Sequence, residues 1–366
     1  MEQACQKDDL FQNTISKINE YSVERLSGLD GARGVAAVLV AFAHYFISVY
    51  KFPSESPLGF FSSFIGSYAV GLFFITSGFV VASSAHKSYA SDFFVRRIFR
   101  LYPIAIVVVA IRMLVEFDLG NVRNLGWQDF AISASLFGSD LVPNEALVEP
   151  IYWTLSIEVK FYIIVGLVYF LSKKLGAEVL PSIFIIFSLL SVGHTYIMPH
   201  NSQWPWAVSF GVLASTLPML ILGWITWLYK SQAIGNAYFY AGLLCVFLSL
   251  LNAPYPIYFS LDKGAPSWLL SALTFFLILK DPFFLKFLKN RLFGFLGKIS
   301  YPVYAIHSSL IILTINYLPG GINGLIMVSI FFGLLLLCSW FLNFSVEQPM
   351  ISLSKKLLKM KLKKFG

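Results

Sequence analysis

Charge is what this sequence lacks most. Only 13% of its 366 residues are Asp, Glu, Lys or Arg, against about 25% in an ordinary soluble domain. Hydrophobic residues make up 57% of the chain and aromatic residues 17%. No soluble fold of this size hides so much Leu, Ile, Val and Phe, and apolar runs recur along almost the whole length. A soluble enzyme and a disordered chain are both excluded. Cysteine is scarce too: Cys5, Cys245 and Cys338 form no CxxC pair, and two of them fall inside apolar segments. They read as small packing residues, not as disulfides or metal ligands. Residues 1–28 are polar and mixed in charge, with no apolar core long enough for a cleavable signal peptide. The first long apolar segment is therefore expected to act as the insertion signal. No metal-ligand spacing, phosphate-cradling glycine loop, nucleic-acid signature, internal repeat or low-complexity tract stands out.

What the sequence has is a series of apolar segments. A bilayer core about 30 Å thick needs roughly 20 apolar residues per helix. By that measure, spans are expected near 32–50, 64–85, 103–117, 151–171, 180–198, 206–228, 237–253, 266–280, 299–318 and 322–345. Residues 130–139 are apolar but too short to cross, and are expected to be re-entrant or interfacial. The net charge of +8 is distributed as membrane insertion requires, not as nucleic-acid binding would. With the N-terminus inside, of 27 Lys and Arg only Lys51, Arg123 and Lys263 fall in outer segments, and Arg112 and Lys160 within spans. The inner groups include Arg96, Arg97 and Arg100, and six tail lysines from Lys355 to Lys364. Shifting the register by one helix destroys this asymmetry. The expected fold is all-α: a polytopic membrane helix bundle of about ten transmembrane helices with both termini cytoplasmic. It divides into a polar cytoplasmic segment (1–28), a transmembrane domain (29–349) and a basic amphipathic cytoplasmic tail against the lipid (350–366). The longest outer segment, 118–150, is mostly acidic, with Asp118, Asp129, Asp140, Glu145 and Glu149.

Ionisable side chains inside spans are costly and mark candidate sites. Here they are His44, Arg112, Glu116, Glu158, Lys160 and His307, with Arg33 and Glu347 at inner borders. Arg33 and His44 share one helix face, roughly 16 Å apart along the axis. A cation at the mouth and an imidazole at depth suit a long substrate with an anionic head and a reactive tip. Desolvation favours the neutral imidazole, the form a general base needs. The same pair also fits a positive-inside anchor and a hydrogen bond between helices. Arg96, Arg97 and Arg100 suit phosphate oxygens, because guanidinium forks match them; Arg96 and Arg100 are spaced to share a face. Glu158 is expected at nearly the depth of His44, where it would orient that ring. The alternatives pair Glu158 with Lys160 or Arg112, and Arg112 is also one turn from Glu116. His307 is expected about 12 Å from the inner side, below His44, lining a donor channel. Ser77 and Gly78 would let a donor approach the backbone, or serve helix packing. Trp153 and Tyr162 fit the core as well as a site, and Glu347 is expected to brace the inner end of the last span.

Six segments in order carry a family resemblance: "LDGARGVAAVLVAFAHYF" with Arg33 and His44, "GLFFITSGFVV" (71–81), "FFVRRIFRLYP" (93–103), "YWTLSIEVKFY" (152–162), "ISYPVYAIH" (299–307) and "VEQP" (346–349). The chain thereby resembles the acyltransferase 3 family of multi-pass membrane O-acyltransferases across residues 29 to 349. The resemblance implies transfer of an acyl group, usually acetyl from acetyl-CoA as co-substrate, to a hydroxyl of a sugar, glycan or other small acceptor, with no metal. It gives His44 the role of catalytic base or acyl carrier and Arg33 a donor-side or structural role. With the residue arguments above, the expected site is His44 and Glu158 as catalytic groups. Arg33, Arg96, Arg97, Arg100, Ser77, Gly78 and His307 are then expected on the acyl-CoA. Glycan-assembly enzymes are expected partners, and a bacterial inner membrane the expected location. Family members often append a soluble hydrolase-like domain after the last span; this chain ends about 20 residues after it, and is expected to be the stand-alone form. The competing class is a transporter or exporter of a glycan or small metabolite, which ten spans with intramembrane charges also suit. Transporters often show repeated halves, and donor binding by the arginines discriminates the two.

Overall fold

The computed structural model describes residues 28–53, 56–86, 90–120, 125–143, 146–175, 186, 189, 204–252, 261–280, 282–318 and 323–365. Among these residues the chain is helical, with no strand. Its helices are α1 (Gly28–Tyr50), α2 (Pro57–His86), α3 (Ala90–Asp118), α4 (Trp127–Ala134), α5 (Gly138–Leu141), α6 (Trp153–Leu175) and α7 (Pro205–Lys230). Then follow α8 (Asn236–Asn252), α9 (Leu261–Lys280), α10 (Pro282–Leu288), α11 (Arg291–Tyr317), α12 (Gly324–Leu342) and α13 (Gln348–Phe365). Helices are the only open-ended way to satisfy backbone polar groups in hydrocarbon, and the apolar runs fold accordingly.

Among the described residues seven helical stretches are long and apolar enough to cross a bilayer, so this is an integral membrane protein. They overlap the first, second, third, fourth, sixth, ninth and tenth expected spans. The seventh and eighth coincide with shorter apolar helices, Asn236–Leu248 and Pro266–Lys280. The fifth, 180–198, lies outside the described residues apart from 186 and 189. Segment 1–28 likewise falls outside them except for Gly28. Two boundaries differ materially from expectation. The third span is not short, because α3 begins at Ala90 and carries its arginines within the helix. Helix α11 begins at Arg291, eight residues before the apolar stretch starts.

Helices α2 and α7 form the centre, each 78% buried over its most apolar stretch, and α9 packs on α2. Glycines allow that close approach. A Cβ at Gly78 would lie 2.0 Å from the Leu220 carbonyl oxygen, and one at Gly223 would lie 2.0 Å from that of Ile75. Helix α12 is at the periphery: its stretch is only 22% buried at a mean hydropathy of 2.5, which suits a lipid-facing helix. The short helices α4 and α5 fold back against α3, α6 and α7. Lys160 Nζ holds them by donating to Asp140 Oδ1 and Ser209 Oγ, both at 2.8 Å.

The last span continues into the tail through a π-helical turn, Asn343–Glu347. Its placement follows from Pro302 inside α11, which has no N–H to give the carbonyl four residues back. Asn343 supplies the missing donor: its Nδ2 reaches the Lys298 carbonyl oxygen at 3.0 Å and Glu347 Oε2 at 2.7 Å. Glu347 in turn lies 3.9 Å from Arg100. Glu347 thus ties the π-helical end of the last span to α3.

Candidate active site

Helices α1 and α11 run side by side with their backbones in contact near their N-terminal ends. A Cβ at Gly34 would lie 2.4 Å from the Leu296 carbonyl carbon, and one at Gly297 would lie 2.6 Å from the Asp30 carbonyl oxygen. Only glycine fits this crossing, and the crossing fixes the register of the two helices. Ten residues further along each helix stand His44 and His307, roughly 15 Å from the contact. At that level the helices leave room for two imidazoles. His44 Nδ1 and His307 Nε2 are 2.8 Å apart, and the rings lie nearly parallel with centroids at 5.1 Å. His307 is fully buried, whereas His44 is partly buried.

His307 is therefore beside His44 and not below it, which corrects the expected depth. The reason is the early start of α11: each histidine lies sixteen residues, about 24 Å, from the start of its helix. A tyrosine anchors this stretch of α11. The Tyr304 hydroxyl donates to the Ile151 carbonyl oxygen at 2.9 Å and meets the Thr154 hydroxyl. The Tyr304 carbonyl oxygen accepts from His307 Nδ1 at 2.6 Å.

Glu158 does not partner His44. Its carboxylate accepts from the Tyr162 hydroxyl, one turn along α6. Thr154 is abreast of Tyr304; Glu158 is four residues further on one helix and His307 three residues the other way, a separation of roughly 10 Å along the axis. The carboxylate instead belongs to a cationic group on the other side of Tyr304, where its charge acts on Arg33, Arg97 and Arg100.

Those three arginines come together from two helices. The Arg33 guanidinium lies 5.1 Å over the Phe73 ring and 3.9 Å from Asp30. The Arg97 guanidinium lies 5.2 Å from Phe93 and 5.1 Å from Tyr162. Both are buried, and neither Nε has a hydrogen-bond partner. Arg100 completes the group with Glu347 at 3.9 Å. Three cations face three carboxylates, the buried Glu158 and Glu347 and the half-exposed Asp30, so the group is balanced in formal charge. Beside Arg97 and Tyr162 opens a largely apolar cleft of about 180 Å³, lined also by Phe94, Leu101, Tyr102 and Phe137.

Two other expected site residues lie elsewhere. Arg96 is exposed: one residue from Arg97, it is turned about 100° around the helix, so the inward pair is Arg97 and Arg100. Gly78 is occupied by the backbone of α7 and serves helix packing. Ser77 is buried with its hydroxyl unpartnered.

A second buried polar group was legible in the sequence only as the Arg112–Glu116 pair. Arg112 donates to Glu116 at 2.7 Å and to Ser308 at 3.3 Å, and lies 3.9 Å from Glu149. Glu149 accepts from Ser308 and, at 3.0 Å, from Ser309. Arg112 is thus spent on Glu116, one of the expected alternatives, and braces the residues that follow His307. The only sequence signal for Glu149 was its position just before Pro150 in an acidic stretch. Among the described residues no group of three His, Cys, Asp or Glu is arranged to hold a metal ion.

Comparison with known proteins gives the family. Residues 26–344 match the family model described as Acyltransferase domain, acyltransferase 3. An acyltransferase, MdmB, of Streptomyces mycarofaciens is 31% identical over 163 residues, 42% of this chain and 41% of that protein. The O-acetyltransferase OatA of Staphylococcus aureus is 25% identical over 344 residues, 82% of this chain and 53% of that protein. Nodulation protein 10 of Rhizobium leguminosarum bv. viciae is 23% identical over 283 residues, 64% of this chain and 72% of that protein. The chain spans about half the length of MdmB and OatA. No solved structure matches it.

Proposed function

The chain belongs to the acyltransferase 3 family, and from that premise we propose that it is a membrane O-acyltransferase. It moves an acyl group, acetyl from acetyl-CoA, to a hydroxyl of a sugar, glycan or similar acceptor. One observation carries the reading: a partly buried histidine, His44, held by a second imidazole at the far end of a helix face whose near end bears the buried Arg33. The roughly 16 Å between Arg33 and His44 along α1 suits an extended thioester arm with its phosphates on Arg33, Arg97 and Arg100. His44 takes the proton of the acceptor hydroxyl as its oxygen attacks the thioester carbonyl. The thiolate then leaves with that proton. Glu158, through Tyr162, positions the arginines and takes no part at the reacting atoms. Acetyl-CoA, a soluble cytoplasmic thioester, then reaches the site from the inner face of a bacterial cytoplasmic membrane, and the distribution of lysine and arginine supports both chain ends on that side.

The test is transfer of labelled acetyl from acetyl-CoA to total envelope glycans, in membranes containing His44→Ala or the unaltered chain. Loss of a general base is expected to lower kcat by about 100- to 10,000-fold. Undiminished transfer by His44→Ala refutes the proposal, as does proton-coupled uptake without acetyl-CoA binding.

A further inference from the structure

We propose that His307 is a positioning residue that fixes the proton of His44 on Nδ1 and so leaves His44 Nε2 as the bare lone pair that receives the acceptor's proton. The inference rests on the acyl-transfer reading above and adds a role for a side chain that the sequence placed on the donor.

The hydrogen bonds dictate the assignment. A backbone carbonyl can only accept, so the 2.6 Å contact with the Tyr304 oxygen puts a proton on His307 Nδ1. In a neutral imidazole the other nitrogen then carries a lone pair, so His307 Nε2 accepts. Its partner at 2.8 Å, His44 Nδ1, must donate. The remaining nitrogen, His44 Nε2, is left unprotonated, and among the described residues it has no hydrogen-bond partner. The direction of the whole relay is thus set by main-chain oxygen, that of Tyr304 at 2.6 Å with that of Val303 beside it, on a stretch held by the Tyr304 anchor to Ile151 and Thr154. His307 is fully buried and both its nitrogens are committed. It is therefore placed to orient His44 and not to line a channel.

In a hydroxyl-activating site a carboxylate usually orients the base. Here an imidazole stands in that place, and the buried carboxylates on this side of Tyr304, Glu116 and Glu149, are spent on Arg112, Ser308 and Ser309. Two neutral imidazoles give the same orientation with no resting charge. During transfer the acceptor O–H bond breaks and its proton binds His44 Nε2. The C–O bond to the acyl carbon forms, the C–S bond breaks, and the thiolate takes the proton from Nε2. The transient imidazolium keeps its Nδ1–H on His307 throughout, and the dyad returns to its starting state.

The test uses the full chain in lipid nanodiscs, with ring-15N histidine, and compares His307→Leu with His307→Gln. Gln carries an acceptor at the distance of Nε2; Leu fills similar space with none. In the unaltered protein the His44 spectrum, assigned by its loss in His44→Ala, is expected to show a proton on Nδ1 and none on Nε2. In His307→Leu the proton is expected to move to Nε2. Acetyl transfer in parallel is expected to lose about 100-fold or more in kcat for Leu with the KM for acetyl-CoA unchanged, and less than about tenfold for Gln. A proton on Nε2 in the unaltered protein, or an unchanged spectrum in His307→Leu, overturns the proposal. So does a higher KM at unchanged kcat, which makes His307 a donor contact. If His307→Leu does not fold, His307→Gln decides: loss of the Nδ1 proton there is equally fatal. Because the spectra need no substrate, they stand or fall apart from the acyl-transfer reading itself.

Discussion

Arginine selection shows how finely a helix separates neighbours. Arg96 and Arg97 are adjacent in sequence, yet one is exposed and the other is buried between Phe93 and Tyr162. A guanidinium hydrogen bond to a phosphate is worth roughly 1.5–3 kcal/mol. Arg97→Ala or Arg100→Ala is therefore expected to raise the KM for acetyl-CoA about 10- to 100-fold, while Arg96→Ala leaves it within about twofold. Steady-state kinetics in membranes measures the difference, and equal effects at positions 96 and 97 contradict the assigned faces. Which arginine faces inward was not legible beforehand. In a membrane the lipid and the protein core are both apolar, so the apolar pattern along a helix does not say which side is inside.

Among elements, the pairing of α1 with α11 matters most. It depends on glycines at the contact, and the two helices carry a built-in contrast. Gly34 meets backbone at once, whereas a Cβ at Gly294 on α11 would meet nothing within 4 Å. Gly34→Ala is expected to cost about 1–3 kcal/mol as an overpacked contact, seen as a lower Tm in detergent, and to reduce acetyl transfer by separating His44 from His307. Gly294→Ala is expected to change neither. The π-turn offers a parallel case. Asn343→Leu removes the donor that Pro302 makes necessary and leaves the Lys298 carbonyl oxygen without its side-chain partner. A loss of about 1–3 kcal/mol is expected, again read from the Tm. The sequence showed Pro302 and Asn343 but not that one serves the carbonyl the other leaves free, because they are 41 positions apart with all of α12 between them.

For the whole molecule, the distribution of basic residues makes a claim about orientation. In a cysteine-free chain, Lys51→Cys is expected to react with a membrane-impermeant maleimide in intact cells, and Lys355→Cys only after the membrane is opened. Labelling of both from outside would invert the proposed donor side. Composition alone determined that the protein lives in a membrane and that its segments are helices, because backbone groups in hydrocarbon have few other ways to be satisfied. Local motifs marked His44, Arg33 and the arginines of α3, since ionisable groups are kept in lipid only at a cost. The partner of His44 was decided by tertiary structure. Depth estimates from apolar stretches misplaced both candidates, because α11 begins eight residues before its apolar run and α6 sits with Thr154 beside Tyr304. A helix continues wherever its backbone bonds can, not only where its side chains are apolar. The register of two helices is set by where their glycines touch, a fact that exists only once the chain has folded.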